Sequence, residues 1–283
     1  MRLTCKLYLN YAGYCLAKAN HAVKGEIQRD IQFKALYGLI EHPVIGWILF
    51  DSGYTRRFYD ATSNWPNKIY ALATKVNVEE QDEIKYQLQK AGISPNEVNH
   101  IIISHFHADH IGGLRDFPNA KFYCSRSAWQ QVLNISDFFA FSKGILKSLL
   151  PQDILERLFF IEDIAVEKYD EIFGKVYDLF NDHSILAFHL PGHAAGQIGI
   201  QLQTAQRSYF LVADACWDKR AYELLYFPHP IVKVFFHSWK DYKESIDKLR
   251  IYWKKNPTHQ IIPSHCSLTT DCFVSANIDM DVL

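Results

Sequence analysis

The sequence predicts an α/β fold in which sheets and helices are layered, and three observations carry that expectation. Apolar runs of strand length recur along the chain, among them Ile101-Ile102-Ile103, Ile185-Leu186-Ala187-Phe188 and Tyr209-Phe210-Leu211-Val212-Ala213. Helical stripes interleave with them: Ile84, Leu88 and Ala91 in one segment, Tyr242, Ile246, Leu249 and Trp253 in another. Several of the apolar runs end at a His- or Asp-bearing turn, where a rigid sheet can aim a loop side chain. At 283 residues the chain is long enough for one large domain or two small ones.

Taken in order, residues 6–17 and 31–40 mix aromatic and β-branched side chains, and 44–50 completes a meander through the turn at Glu41-His42-Pro43. This first sheet ends at Asp51-Ser52-Gly53. Residues 54–76 are aromatic and irregular, and no regular element is predicted there. Asn77 is the expected N-cap of a helix that has Glu79, Glu80 and Asp82 at its positive end and stops at Gly92. The turn Ile93-Ser94-Pro95-Asn96 leads into a strand over 99–104. Residues 125–182 are expected to form a mainly helical cap, with helices over 128–133, 138–149 and 151–160. Strands follow at 185–190, 198–203 and 208–213. Pro228 and Pro230 mark 218–237 as loop, Ser238 caps a final helix that Pro257 ends, and the last strand is 260–264.

The chemistry concentrates in Ser104-His105-Phe106-His107-Ala108-Asp109-His110, between Ile101-Ile102-Ile103 and Gly112-Gly113. Three imidazoles and a carboxylate within six residues form an N/O donor set suited to zinc. His105 and His107, two apart in an extended loop, project to one side, which leaves Asp109 and His110 to face a second ion. Three further candidates stand behind strand-like runs: His193 after Pro191-Gly192, Asp214 after Ala213, and His265 after Ser264. His189 is not expected to be a ligand, and Cys216 and Cys266 are expected to be buried fillers.

These residues resemble the metallo-β-lactamase superfamily, whose His-x-His-x-Asp-His motif follows a buried strand and is completed by three later ligands. The resemblance implies a four-layer αβ/βα sandwich of two mixed β-sheets with outer helices, using 1–283 as a single domain with 125–182 as the cap. It implies one ion on His105, His107 and His193, a second on Asp109, His110 and His265, and Asp214 as the bridge. The cofactor expected is two Zn2+, with Fe, Mn or Co as other divalent ions. Such a centre serves hydrolysis, with a bridging hydroxide as nucleophile and Asp109 or a metal-bound water returning a proton to the leaving group. Asp51 stands in a turn similar to the superfamily's Asp-Thr-Gly turn, whose carboxylate orients a metal-bound His.

Within the superfamily the chain is similar to the N-acyl homoserine lactonases, quorum-quenching enzymes that open a lactone ring. It departs from them at Trp217, where they usually carry Tyr, and at Gln197, where a His is often found. The Trp217 indole N–H is the expected substitute donor to the substrate carbonyl. Phe138, Phe141 and Leu146 of the cap are the expected pocket for an acyl or aromatic group. The alternative is a same-fold hydrolase of another ester, a thioester or a β-lactam. A flavodiiron-type oxidoreductase would want a carboxylate where His107 stands, and a non-catalytic sensor would not need all seven ligands.

Lys and Arg number 30 against 31 Asp and Glu, a net charge of −1, so no basic field points to nucleic acid. Six cysteines without a CxxC pair suit reduced thiols. The start of the chain lacks a signal-peptide pattern, and no run of about 20 apolar residues suggests a membrane span. The expectation is a cytoplasmic protein, monomer or homodimer, acting on a small molecule.

Overall fold

Two mixed β-sheets organise the computed structural model, which describes residues 3–276. The strands are β1 (Lys6–Lys18), β2 (Asp30–His42), β3 (Gly46–Phe50), β4 (Lys75–Asn77), β5 (Val98–Ile102), β6 (Lys121–Cys124) and β7 (Leu158–Phe160), then β8 (Val166–Asp170), β9 (Gly174–Asp178), β10 (Ile185–His189), β11 (Ile198–Gln203), β12 (Ser208–Ala213) and β13 (Gln260–Pro263). The first sheet runs β4-β1-β2-β3-β5-β6-β7 and the second β13-β12-β11-β10-β9-β8. Strands joined by short loops pair antiparallel, as β2 with β3 and β10 with β11. Strands linked through helices pair parallel, as β3 with β5, β5 with β6 and β12 with β13.

Side chains that alternate along each strand divide the core into three layers. Ile40, Ile48 and Ile102 of the first sheet meet Ile185, Ile200, Leu211 and Ile262 of the second. Their neighbours Leu39, Leu49 and Ile101 point the other way, onto Ile84, Leu88 and Trp129 of outer helices. Phe210 and Val212 likewise turn outward to Tyr242, Ile246 and Leu249 of the helix Trp239–Lys255. Both sheets are therefore sandwiched, which is why their central strands read as nearly unbroken apolar runs. Each fully buried Leu or Ile contributes on the order of 1.5–3 kcal/mol, so these layers set the strand ends that carry the site.

The structure differs from the sequence expectation in several places. Asn77 does not cap a helix: it ends β4, which pairs with Tyr14–Leu16 of β1. Glu79 and Asp82 close a capping box around one 3₁₀ turn, and the helix begins only at Ile84. Residues 54–76 contain two short helices, Arg57–Ala61 and Lys68–Ala73. The segment 125–182 is helical only in part, with short helices such as Ile154–Arg157 and Ile161–Ile164 alternating with strands. Residues 138–149 break at Gly144, whose φ of +70° is left-handed. Leu158–Phe160 is no helix but a strand parallel to Phe122–Cys124, and β8 and β9 extend the second sheet. The loop expected at 218–237 holds a short helix, Arg220–Leu224, and a 3₁₀ turn, Pro230–Phe235. A helix over Ser267–Ala276 follows the last strand. Among the described residues no helix is long and apolar enough to cross a membrane.

Candidate metal centre

Strand ends of both sheets deliver the seven candidate ligands to one place. β5 leads into the turn bearing His105 and His107, and the short helix Ala108–Ile111 carries Asp109 and His110. Gly112 and Gly113 allow this helix to press on the Asp51 turn. A Cβ at Gly112 would lie 2.5 Å from the Gly53 carbonyl oxygen, and one at Gly113 2.7 Å from that of Ser52. His193 follows β10 behind Gly192, where a Cβ would strike the backbone of Tyr242 at 2.2 Å. Asp214 follows β12, where Ala213 adopts a φ of +47°, and His265 follows β13.

Two groups result. His105, His107 and His193 each offer a nitrogen, and Asp109, His110, Asp214 and His265 each offer a nitrogen or oxygen; within each group these atoms all lie within 4.8 Å of one another. Asp214 joins the groups: its Oδ2 lies 3.2 Å from Nε2 of both His193 and His265, and its Oδ1 lies 3.4 Å from His110 Nε2. Nε2 of His265 and Nε2 of His110 each lie 3.4 Å from Asp109 Oδ2. His193 Nε2 faces His107 Nδ1 at 2.9 Å.

The outward-facing nitrogens explain the orientation. His110 Nδ1 meets Asp51 Oδ2 at 2.7 Å, His105 Nδ1 meets Ser104 Oγ at 3.0 Å, and His265 Nδ1 meets the Lys34 carbonyl at 2.9 Å. Nε2 of each ring is thereby left to face inward. Nε2 of His105, Nε2 of His110 and Oδ1 of Asp214 are buried without a hydrogen-bond partner. Unpaired buried polar atoms cost roughly 1–3 kcal/mol each, and several converging on one point are what divalent ions would satisfy. The residues present fit a two-ion centre, with zinc favoured by their donor types.

Electrostatics agree with that fit. Burial pushes the imidazoles of the first group down, His105 far below its usual value, His107 to about 3 and His193 to about 4, so all three hold the neutral form that ligates. Burial works against charge on Asp109 and Asp214, yet the surrounding imidazoles outweigh it and hold both carboxyls well below the usual range. Burial likewise opposes a proton on His265, but Asp214 and Asp109 push it up to about 10. In the second group a divalent ion would displace the protons that the carboxylates hold on the imidazoles.

Asp51 stands where its expected role requires: fully buried, it accepts from Ser104 N at 2.8 Å and Ser104 Oγ at 2.7 Å besides meeting His110. The Trp217 indole N–H donates to Asp214 Oδ2 at 3.1 Å, so it is engaged by a candidate ligand rather than turned toward a substrate carbonyl. Phe138, Phe141 and Leu146 are not gathered into one pocket. Phe138 is 63% exposed, Phe141 packs against the outer core, and Leu146 is 1% exposed inside it. The cap reaches the centre through Gly144 instead, where a Cβ would lie 2.8 Å from the His107 ring. His189 lies apart from both groups, edge-on to Tyr177, and Cys216 and Cys266 are buried free thiols.

Sequence reasoning missed a cleft of about 430 Å³ beside His265, on the side of β2. Phe33, Trp217 and His265 line it together with Arg29, Glu26 and Arg220. No local pattern marks these positions, because residues far apart in the chain form the cleft.

Comparison with known proteins agrees with this architecture. The N-acyl homoserine lactonase AttM of Agrobacterium fabrum is 28% identical over 171 residues, 60% of this chain and 59% of that protein. The chain thus matches less than two thirds of that relative's length. A solved N-acyl homoserine lactone hydrolase, with N-hexanoyl-L-homoserine bound at its catalytic metal centre, superposes with a TM-score of 0.72 at 20% identity, covering 96% of this chain and 97% of that one. AidC, a dizinc quorum-quenching lactonase, gives 0.63 at 18% identity over 95% and 90%. At these identities the structural likenesses concern the fold. The metallo-beta-lactamase superfamily model matches residues 34–252, which is most of the sequence, and the chain belongs to that superfamily.

Proposed function

We propose that this protein is a two-zinc hydrolase that opens lactone rings, with N-acyl homoserine lactones as the first substrate class. The observation that carries the reading is the convergence of seven candidate ligands, six of them buried and His107 half-buried, with Asp214 between the two groups. The similarity to N-acyl homoserine lactonases supports the substrate class. His105, His107 and His193 would hold one ion, Asp109, His110 and His265 the other, with Asp214 shared. When bound, two divalent ions bring the pKa of water toward neutrality and polarise a carbonyl.

The chain's own residues supply the rest. Asp51, Ser104 and the Lys34 carbonyl fix the ring orientations of the ligands, so little reorganisation accompanies reaction. Asp109 would return to the leaving alkoxide a proton taken from the attacking water. Water adds across the ester C–O bond, one oxygen becomes the new carboxylate, and a proton is released to solvent. The engagement of Trp217 by Asp214 favours keeping a second reading, a same-fold hydrolase of a simpler ester, a thioester or a β-lactam.

Acid release separates the two. Short- and long-chain N-acyl homoserine lactones, a thioester and a β-lactam are offered to protein of measured metal content. Lactone opening that disappears in His107→Ala supports the proposal, and turnover confined to the thioester or β-lactam transfers the function to the second reading.

A further inference from the structure

Two aromatic residues with no metal-binding atom grip the group Asp109, His110, Asp214 and His265 from outside. Phe33 of β2 lies parallel to the His265 imidazole, with ring centroids 4.6 Å apart and 4° between the planes. The next residue, Lys34, accepts the His265 Nδ1–H through its carbonyl at 2.9 Å. A carbonyl can only accept, so this bond places a proton on Nδ1 and turns Nε2 toward Asp214 Oδ2, 3.2 Å away. Two consecutive residues of the first sheet thereby fix both the plane and the in-plane orientation of an imidazole carried by the second sheet.

Trp217 completes the grip. It packs edge-on to Phe33 with centroids 5.4 Å apart, and its indole N–H donates to Asp214 Oδ2, the oxygen that also faces His265. The local backbone is shaped for this contact. β1 and β2 change register between Tyr11 and Tyr14, where Gly13 has a φ of +72° and a Cβ would lie 2.8 Å from that of Val78. Lys34 pairs with Tyr14 and Phe33 with Cys15, directly past this bulge. Bulges bend a strand and increase its twist beside functional sites.

Core packing alone does not account for Phe33. At 8% exposure it belongs to a small satellite cluster with Ala22 and Val23, apart from the three layers that hold the sheets and outer helices. Its ring and that of Trp217 also wall the cleft beside His265. The rings of the other group, His105, His107 and His193, make no ring contact with Phe33 among the described residues, whereas Trp217 also lies edge-on to His193 with centroids 5.5 Å apart and so touches both groups.

We propose that Phe33 and Trp217 are positioning residues for the ion held by the Asp109, His110, Asp214 and His265 group, and that Phe33 acts on this ion selectively. The proposal rests on the two-ion reading of the centre and is independent of the substrate. Its test is zinc titration of the full chain against a chromophoric chelator, with bound metal counted directly. Phe33→Leu keeps apolar volume but removes the planar ring, Phe33→Tyr restores the ring, and Trp217→Phe removes the N–H donor while keeping a smaller aromatic ring. Wild type is expected to bind two equivalents. In Phe33→Leu one equivalent stays tight and the other weakens at least about tenfold, the scale seen when partners that orient ligands are removed. Phe33→Tyr recovers it, and Trp217→Phe loses it in part.

Thermal unfolding in excess chelator, unchanged between wild type and Phe33→Leu, separates positioning from a general loss of structure. Two equivalents bound by Phe33→Leu with wild-type affinity would overturn the proposal, as would equal weakening of both ions with unchanged unfolding of the chelated protein. Should Phe33→Leu fail to fold, an unaltered second equivalent in Trp217→Phe overturns it instead. Wild type binding fewer than two equivalents removes the two-ion reading itself, and the proposal with it.

Discussion

At the scale of single residues, Asp51 shows how a buried charge is made useful. It sits at a φ of +60°, a region that Asp and Asn both tolerate, with its carboxylate shared by His110 and Ser104. Asp51→Asn therefore keeps the backbone and removes the charge. The substituted amide presents N–H toward the buried Ser104 and His110 donors, and zinc affinity should fall about 10–100-fold. Metal titration of the purified variant checks this, and unchanged affinity would deny Asp51 its orienting role. The seven candidate ligands and Asp51 were legible in the sequence because each lies in a short motif behind an apolar run. Phe33 was not legible, since its contact with His265 spans most of the chain and leaves no local signature.

At the scale of elements, the cap loop meets the centre at one glycine. Gly144 has left-handed backbone, its carbonyl accepts from Ala108 N at 3.1 Å, and a Cβ there would press on the His107 ring. Gly144→Ala should cost about 1–2 kcal/mol of stability from backbone strain and lower metal occupancy at His105, His107 and His193. A chemical unfolding curve paired with a metal count would show both, and full occupancy would free the loop from any part in shaping that group. The sequence hid this break because residues 138–149 are apolar at intervals that suit an unbroken helix. β7 was hidden for a related reason: a short apolar run does not distinguish strand from helix, and its partner Phe122–Cys124 lies far back in the chain. β8, with polar residues on both faces, carries an edge-strand pattern too weak to read.

β5 also carries a pH response of the fold. His100 hydrogen-bonds the Tyr123 hydroxyl through Nδ1, and burial, with Lys121 beside it, pulls its pKa down to about 4. The unfolded chain, with an ordinary His near 6.5, binds the proton more readily than the folded one. The stability this neutral ring contributes is therefore complete above about pH 6.5 and is lost as pH falls through about 4. Urea midpoints of the wild type should drop across that window more steeply than those of His100→Gln, and parallel curves would contradict the assignment.

At the scale of the whole molecule, both sheets contribute candidate ligands, so ion binding would tie the halves of the sandwich together. Metal at about a thousand times its Kd should stabilise the fold by roughly 4 kcal/mol. Removal by chelator should accordingly lower Tm by several degrees, and an unmoved Tm would mean the ligands do not close around ions in the folded chain. The order of ligands along the chain made the architecture legible, whereas the cleft beside His265 arises only when residues 19–34 meet 217–220 and 265–271. The most direct test of the account is the initial rate of lactone ring opening, followed by proton release, as zinc is added stepwise to metal-free protein. The account predicts a rate that climbs to a plateau at two equivalents and is absent in His107→Ala. A plateau at one equivalent, or no turnover of any lactone, ester, thioester or β-lactam at two, would contradict a two-metal hydrolase.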